Sequence, residues 1–333
     1  MTRSTAAMRR KVAVTVLTTG DPKVREHEGV PTIRLPIHRY AFNLAVPQII
    51  ARARQVHLIH TFNYHACLPS LVAGRWLGKP VVCTFLGIVQ GVWTETHGAV
   101  AGRARILWEK FLLTRRFARM QFLSEENLRA AERLGVRHEC AEVNLLGLPP
   151  DIGAASPKEA EVLFVGKFDA RKGVYDVLET ARALPQIRFR LLTWPSPVDE
   201  IRRTAPSNVE FVVEPDRAVV REAFGKAAIF LLPSRGEGFP LALAEAMASG
   251  CAIVASFPTE FAGIRVTAGD LPAIVEGVRF LWANAAEVER MGRRNVQLAG
   301  NFSWDRHMVK LLSTYRRALE EIPGSAVEDN VLR

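Results

Sequence analysis

The chain has 333 residues, 48% of them hydrophobic, a length that suits two domains of ordinary size better than one small core. Its four cysteines form no C-x-x-C pair and no metal-ligand spacing, so neither a disulfide framework nor a zinc site is indicated, and a reducing, cytoplasmic location is favoured. The formal net charge of +10 favours an acidic partner: nucleic acid, an anionic membrane surface or a phosphorylated substrate. No run of about 18 apolar residues predicts a membrane span, and VAVTVL reads as a strand rather than as part of a signal sequence.

Short runs rich in Val and Ile alternate with helical stretches along the first half of the chain. The runs that predict strands are KVAVTVL, PTIRLPI, VHLIHTF, KPVVCTF, MQFLSE and CAEVNLL. Parallel strands need helical connections between them, and this alternation supplies them. We therefore predict an α/β domain over residues 1–150.

A proline-rich segment separates this domain from a second one. Residues 147–160, GLPPDIGAASPKEA, carry three prolines and two glycines without apolar periodicity, as a linker does. The strand runs EVLFVGKF, IRFRLLTW, NVEFVV, AAIFLLPS and CAIVAS then predict a second α/β domain over 151–302. A terminal helix is predicted over 303–322, with Ser303 as its N-cap, and a flexible tail over 323–333.

Two carboxylates, Glu237 and Glu245, stand eight positions apart in the small, apolar stretch EGFPLALAEAMASGCAIVAS. Pro240 fits the first turn of a helix and Gly250 fits the residue just past its end, so a short helix is predicted between a loop and a strand. A helix N-terminus behind a glycine-containing loop attracts phosphate. The alternative is a structural helix packed on the sheet, with Glu245 paired to an arginine.

Polar and cationic residues follow two of the predicted strands. Lys167, Arg171 and Lys172 lie in VGKFDARKG, a strand-to-helix turn, and Ser234 and Arg235 follow the strand AIFLL. Open parallel sheets bind ligands at the carboxyl ends of their strands. Cations and helix N–H groups at that edge can hold a diphosphate, whereas the alternative for VGKFDARKG is a solvated basic loop.

Three segments together resemble the retaining nucleotide-sugar glycosyltransferases of glycosyltransferase family 4. They are VGKFDARKG, LLPSRGEGFPLALAEAMASGCAIVAS and FSWDRHMVKLLSTYRRAL, and the similarity is strong over residues 162–319 and weaker before them. The resemblance implies an α/β protein of the GT-B fold, with two Rossmann-like parallel-sheet domains facing a cleft and a C-terminal helix crossing back to the first domain. It further implies an acceptor-binding domain at 1–150, a nucleotide-sugar-binding domain at 151–302, and Trp304 and Tyr315 as anchors of the terminal helix.

The resemblance also implies roles for single residues. Glu237 would face the donor sugar, while Lys167 and Lys172 would neutralise the leaving diphosphate, so these three are the expected catalytic residues. Glu245 would accept hydrogen bonds from the ribose hydroxyls. The expected donor-binding residues are Glu245, Gly166, Arg171, Ser234, Arg235, Gly238, Phe239, Pro240, Leu241, Val213, Gly20 and Gly87. Neither a cofactor nor a metal is expected, since cations and N–H dipoles can neutralise the developing charge.

Several positions depart from the family pattern. Leu86 in VVCTFLGI stands where the family often has histidine, and leucine cannot hydrogen-bond a sugar hydroxyl. Gly20 stands alone in a turn where paired glycines are common, and Trp194 and Val213 lie at or near positions that are usually glycine. These departures keep open a catalytically silent homologue that binds nucleotide or sugar as a partner subunit.

The segment RARILWEKFLLTRRFARM, residues 103–120, predicts a basic helix. At 100° per residue its arginines at 105, 115, 116 and 119 share one sector, as in a helix lying on an anionic membrane. The alternative is a helix of the first domain with solvated arginines. A lipid-linked or phosphorylated acceptor agrees with the first interpretation, as does peripheral contact with the inner face of the membrane.

The function predicted from the sequence is metal-independent transfer of a sugar from a nucleoside-diphosphate sugar to an acceptor hydroxyl, with retention of configuration. A nucleic-acid-binding protein would be supported by charge alone, so no nucleic-acid partner is expected. A Rossmann dehydrogenase is disfavoured because no G-x-G-x-x-G follows the first strand.

Overall fold

The computed structural model describes residues 12–321 except positions 28, 89, 91, 149–151, 153–156 and 195–198. The chain forms two compact units: unit 1 comprises Met1–Gly147 and Trp304–Arg333, and unit 2 comprises Leu148–Ser303. Much of the predicted linker and the predicted tail at 323–333 lie outside the described residues.

Unit 1 contains two small sheets. The first has the order β1-β3-β2, with β1 at Val16–Thr19, β2 at Glu26–His27 and β3 at Val30–Leu35. The second is parallel, with the order β4-β5-β6-β7, and comprises Ile59–Phe62, Val81–Phe85, Arg119–Phe122 and Ala141–Val143. The α-helices in the Met1–Gly147 part of unit 1 are α1 Val46–Ala53, α2 Cys67–Leu77, α3 Val92–His97, α4 Ala99–Leu113 and α5 Glu125–Arg133.

The sequence predictions for unit 1 miss one element and place the end of another wrongly. The short strand β2 was not predicted, and the helix predicted over 103–120 ends at Leu113. Thr114 follows as its C-cap and its hydroxyl donates to the carbonyl oxygens of Lys110 and Phe111, at 3.1 and 3.0 Å. Arg119 lies on β6 instead. The four arginines therefore do not share one helical face.

Unit 2 is one six-stranded sheet in which every strand is parallel. Its order is β10-β9-β8-β11-β12-β13, and the strands are β8 Glu159–Lys167, β9 Phe189–Trp194, β10 Val209–Val213, β11 Ala227–Leu232, β12 Ala252–Ala255 and β13 Gly263–Arg265. Its helices are α6 Val174–Ala183, α7 Asp199–Thr204, α8 Arg217–Lys226, α9 Leu241–Ala248, α10 Leu271–Ala283 and α11 Ala285–Ala299. The five predicted strands are present, and β13 was not predicted.

The strand order of unit 2 reverses between its two central strands. From β8 the chain proceeds outward through β9 and β10, and then returns to β11 on the other side of β8. The middle of each central strand is apolar, and Val162, Phe164, Ile229 and Phe230 are buried, as expected for a parallel sheet covered on both faces. A reversal of this kind opens a crevice at the carboxyl ends of the two strands, where open α/β sheets bind ligands.

The last described helix, α12 at Trp304–Glu320, belongs to unit 1, as the predicted fold class requires. It buries Leu311, Tyr315 and Ala318 against Val82 of β5. Near its start, a Cβ atom on Gly147 would lie 2.6 Å from the Cα atom of Trp304, so only glycine permits this close approach.

A buried polar network accompanies this packing. The Tyr315 hydroxyl lies 2.6 Å from Nδ1 of His60, and Nε2 of His60 lies 2.8 Å from the hydroxyl of Thr84. On the same helix, the Thr314 hydroxyl accepts from Nε2 of Gln121 at 2.7 Å. The terminal helix is thus fixed to unit 1 by apolar burial and by hydrogen bonds.

Candidate active site

Two loops meet at the reversal point of the unit 2 sheet. One follows Lys167, the last residue of β8, and carries Arg171 and Lys172; the other follows β11 and carries Ser234 to Glu237. The predicted cationic turn and the predicted carboxylate loop are therefore neighbours in space, although they are separated by 65 residues in the chain.

A tight turn positions the first loop. The carboxylate of Asp169 accepts a hydrogen bond from the backbone N–H of Lys172 at 2.9 Å and caps a short 3-10 turn, Ala170–Lys172. Gly173 follows with φ at +73°, and a Cβ atom there would lie 2.2 Å from the carbonyl oxygen of Pro233. Glycine is therefore required for the two loops to touch.

Glu237 lies at the centre of the contact between the loops, with its side chain only 6% exposed. Nζ of Lys172 donates to both of its carboxylate oxygens, at 2.6 and 2.8 Å, and the Ser234 hydroxyl donates to Oε1 at 2.7 Å. Nη1 of Arg171 lies 3.9 Å from Oε2. This enclosed carboxylate holds the Lys172 ammonium in one place, since a charge withdrawn from water needs partners of this kind.

Both arginines of the site are engaged with backbone as well. Arg171 donates to the carbonyl oxygen of Gly236 at 2.6 Å. Arg235 donates to the carbonyl oxygen of Ala170 at 2.8 Å and lies 3.3 Å from a carboxylate oxygen of Asp176. The two guanidinium groups connect one loop to the other and restrict the movement of both.

Lys167 is in a different position. It ends β8 and is exposed, and its ammonium group forms no hydrogen bond or ion pair with any residue that the structure describes. Trp194 is its register partner at the end of β9, and half-buried Val213 ends β10. Lys167 therefore presents, at the carboxyl edge of the sheet, a cation without a partner among the described residues.

The helix α9 carries the second carboxylate of the pair. It begins at Leu241, so Pro240 is the residue before it rather than in its first turn. Gly250 follows the C-cap with φ at +75°, as predicted. Glu245 is half-buried on α9. The Phe239 ring packs edge-on against Phe302, with centroids 5.4 Å apart, which supports the loop before the helix.

Two residues predicted for the donor site, Gly20 and Gly87, lie in unit 1. Gly20 has φ at +137°, and the Gly87 carbonyl oxygen accepts from the Tyr64 hydroxyl at 3.0 Å. Leu86, which departs from the family pattern, is 39% exposed, and its backbone N–H donates to Asn63.

Sequence reasoning missed two acidic residues of the site. Asp169, directly before the cationic turn, has the position and residue type of an N-cap, and this signal was readable. Asp176 lies on α6 and meets Arg235 only through the fold, so no local pattern marks it.

Comparison with known proteins matches both halves of the chain. The family model for the Glycosyl transferase 4-like domain matches residues 2–147, and the model for Glycosyl transferases group 1 matches residues 159–284. A GDP-mannose-dependent alpha-mannosyltransferase of Mycolicibacterium smegmatis is 28% identical over 255 residues, covering 70% of this chain and 67% of that protein. A D-inositol 3-phosphate glycosyltransferase of Mycobacterium leprae is 30% identical over 212 residues, covering 54% of this chain and 45% of that protein.

Among solved structures, the chain is similar to a sucrose-phosphate synthase from Thermosynechococcus elongatus. The TM-score is 0.80 at 20% identity, and the match covers 95% of this chain and 92% of that one. At this identity the likeness establishes the fold alone. It confirms the predicted α/β class, a GT-B fold with two Rossmann-like units.

Proposed function

Since the chain belongs to the glycosyltransferase family that these two domain models describe, we propose that it transfers a sugar from a nucleoside-diphosphate sugar to an acceptor hydroxyl. Unit 2 would bind the donor and unit 1 the acceptor. The observation that carries the proposal is the cluster of Lys172, Glu237 and Ser234 at the reversal point of the unit 2 sheet.

The cations of unit 2 suit the departure of a diphosphate. Cleavage of the bond between sugar and phosphate leaves negative charge on the phosphate oxygens, and cations fixed in advance stabilise it without reorganising. Lys172 is fixed by Glu237, whereas Lys167 is exposed and unpaired within the described part of the chain. Lys172 would bind the leaving group in a set position, and Lys167 would move to it.

The remaining donor contacts divide between nucleotide and sugar. Glu245 would accept hydrogen bonds from the ribose hydroxyls, which a half-buried carboxylate on α9 can do. Glu237 is nearly enclosed and bonded to Lys172 and Ser234, which favours a role in fixing the cation over a role limited to the sugar. Backbone groups around Gly238 and Leu241 would complete the diphosphate site at the start of the helix.

We extend the proposal to two finer features that follow from the family resemblance. The sugar would keep its anomeric configuration, because the acceptor would attack from the face that the phosphate leaves. The reaction would need no metal, because lysines supply the positive charge. The anomeric configuration of the product, followed by NMR, tests the first feature, and turnover in the presence of EDTA tests the second.

The first experiment is calorimetric binding of UDP, GDP, ADP and dTDP to the wild type and to Glu245→Ala, with and without EDTA. We expect one nucleotide to bind regardless of EDTA and to lose affinity in the variant, and the matching nucleotide sugars to be cleaved. Binding without any turnover would favour the catalytically silent homologue. No binding of any nucleotide would overturn the proposal.

An anionic membrane surface is the second partner that we propose, at the exposed side of α4. None of the described helices is long and apolar enough to cross a membrane. On α4, however, Val100, Leu107 and Phe111 are 85%, 68% and 38% exposed. Arg103 and Lys110 are exposed on the same helix, and apolar residues flanked by cations are typical of contact with anionic lipid. The location would then be the cytoplasmic face of a membrane.

A further inference from the structure

Asp176 is an acidic residue beside the candidate active site that the proposed reaction does not use. It lies in the first turn of α6, and its side chain is only 15% exposed. Its Oδ2 atom is buried and accepts no hydrogen bond from any residue that the structure describes. The same atom lies 3.3 Å from Nη2 of Arg235. Attraction to this guanidinium group therefore offsets the cost of withdrawing the carboxylate from water.

The helix that carries Asp176 is a rigid support. Along α6, the side chains of Val174, Val177 and Ala181 are completely buried. A side chain on a packed helix is held more exactly than one on a loop. Asp176 therefore gives the loop residue Arg235 a fixed point of attachment.

Arg235 connects this fixed point to the loop after β8. Its Nη1 atom donates to the carbonyl oxygen of Ala170 at 2.8 Å. Its backbone N–H donates to the carbonyl oxygen of Arg171, also at 2.8 Å. Ala170 and Arg171 are the first two residues of the 3-10 turn that ends at Lys172. One residue therefore holds the turn at the two positions directly before the lysine.

A third segment lies beside the same guanidinium group. Gly269, which precedes α10, has φ at +84°, and a Cβ atom on it would lie 3.5 Å from Nη2 of Arg235. Both terminal nitrogens of Arg235 thus lie next to groups of the protein. This arrangement favours a role in holding the loops over the donor contact that the family resemblance predicts for Arg235.

We propose that Asp176 and Arg235 form a positioning pair for Lys172. Asp176 fixes the guanidinium group of Arg235, and that group fixes the turn Ala170–Lys172. The turn in turn places the Lys172 ammonium on the carboxylate of Glu237. The effect of the pair on catalysis rests on the proposed glycosyl transfer, whereas its effect on the turn does not.

Amide hydrogen exchange of the folded chain tests the effect on the turn. Asp176→Asn keeps the volume of the side chain and removes its charge. The amides to follow are those of Lys172 and Arg235, which donate to Asp169 and Arg171. We expect both amides to exchange about tenfold faster, or more, in the variant, because the turn opens more often. Unchanged exchange at both amides would refute the proposal.

Glu142→Gln is the matched control for this measurement. Glu142 is 13% exposed and is paired with Arg317, so it resembles Asp176 in burial and in the kind of partner. It lies on β7 of unit 1, however, and is not part of either loop. The control should leave exchange at the two amides unchanged. An equal acceleration in both variants would show a general loss of stability and would count against the pair.

Cleavage of a nucleotide sugar tests the effect on catalysis. The substrate is the nucleotide sugar whose nucleotide binds the wild type. Asp176→Asn should lower kcat by roughly 10- to 100-fold, since a small displacement withdraws the Lys172 charge from the leaving diphosphate. The Kd of the free nucleoside should not change, because a nucleoside carries no phosphate. Loss of nucleoside binding along with turnover would indicate a damaged unit 2 and contradict a positioning role.

A cycle of single and double variants shows whether Asp176 acts through Arg235. Arg235→Gln alone should lower kcat by a similar factor, and adding Asp176→Asn should lower it no further. An acidic residue in the first turn of a helix also stabilises the helix directly, and that role needs no arginine. Losses that multiply in the double variant would therefore exclude action through Arg235.

The two kinds of measurement separate this inference from the proposed function. A wild type that binds nucleotide but cleaves no nucleotide sugar would overturn the proposed transfer. Exchange at the Lys172 and Arg235 amides would still decide whether Asp176 holds the turn.

Discussion

The ammonium group of Lys172 lies 2.6 and 2.8 Å from the two carboxylate oxygens of Glu237, and the Ser234 hydroxyl lies 2.7 Å from one of them. The sequence marks these two residues as separate catalytic groups, but in the structure they form a single ion pair. The carboxylate fixes the cation while its own charge is enclosed, so a change in either residue disturbs the other.

Glu237→Gln should impair catalysis more than it weakens binding. The neutral amide no longer holds the ammonium by charge, so Lys172 would lose its fixed position. We expect turnover of the nucleotide sugar to fall by roughly 10²- to 10³-fold, as for loss of one fixed charge-stabilising group. Single-turnover kinetics and calorimetry with the nucleotide measure the two effects. The control is Lys226→Ala, which removes a lysine paired with Glu222 on α8. Loss of nucleotide affinity as large as the loss of turnover would contradict the prediction.

Glu245→Ala and Lys172→Ala should separate nucleoside recognition from diphosphate recognition. Glu245→Ala removes the carboxylate that would accept hydrogen bonds from the ribose hydroxyls. We expect it to raise the Kd of the free nucleoside by about tenfold, which corresponds to the loss of one hydrogen bond to a charged group. Lys172→Ala should leave nucleoside affinity nearly unchanged, because a nucleoside carries no phosphate. Calorimetry with nucleoside and with nucleoside diphosphate gives the comparison. Equal effects of both variants on the nucleoside would refute this division of roles.

Gly173→Ala should destabilise unit 2. The new Cβ atom would lie 2.2 Å from the Pro233 carbonyl oxygen, at a residue with φ of +73°. We expect a loss of about 2 to 4 kcal/mol in the free energy of unfolding from the clash and the left-handed backbone together. Gly78→Ala is the matched control, since Gly78 has φ of +63° with nothing within 4 Å of the added atom. The Gly78→Ala variant should lose only about 1 to 2 kcal/mol in the free energy of unfolding. Equal losses in urea unfolding would show that the two loops do not touch as described.

His60 should make the stability of unit 1 depend on pH. Burial lowers its pKa from 6.5 to about 3, and the charge of His307 contributes to the shift. The unfolded chain then binds a proton that the folded chain does not, so stability falls as the pH drops from 6.5 towards 3. By pH 5 this loss should reach about 2 kcal/mol or less.

Urea unfolding at pH 7 and pH 5 measures this loss. His60→Gln should abolish most of the loss of stability between pH 7 and pH 5, and it keeps polar atoms near Tyr315 and Thr84. The control, His57→Gln at an exposed histidine, should leave that loss unchanged. The same loss in both variants would assign the pH dependence to other groups.

Leu107→Ser/Phe111→Ser should weaken binding to anionic vesicles. These side chains are 68% and 38% exposed on α4, and burial in lipid would remove their apolar surface from water. We expect the fraction bound to phosphatidylglycerol vesicles in a flotation assay to fall by roughly tenfold. Phe280→Ser, at a 43% exposed phenylalanine of unit 2, is the control. Undiminished binding by the double variant would exclude α4 as the contact.

The sequence by itself determined the kinds of elements and their order. Alternation of Val- and Ile-rich runs with helical stretches predicted every strand of unit 2 except β13, whose three residues are too few to form a pattern. Gly250 was identified as the residue ending α9, because a left-handed backbone selects glycine. Asp169 carried a readable capping signal that was missed.

The tertiary structure decided which residues meet. Helical periodicity over residues 103–120 did not reveal that the helix ends at Leu113, because the apolar spacing continues past Thr114 into Phe117 and β6. Lys172 and Glu237, and likewise His60 and Tyr315, are far apart in the chain, and local spacing carries no information on such pairs. They meet because strand order and helix packing bring distant segments together. Strand order and helix packing depend in turn on the burial of apolar surface summed over the whole of each unit.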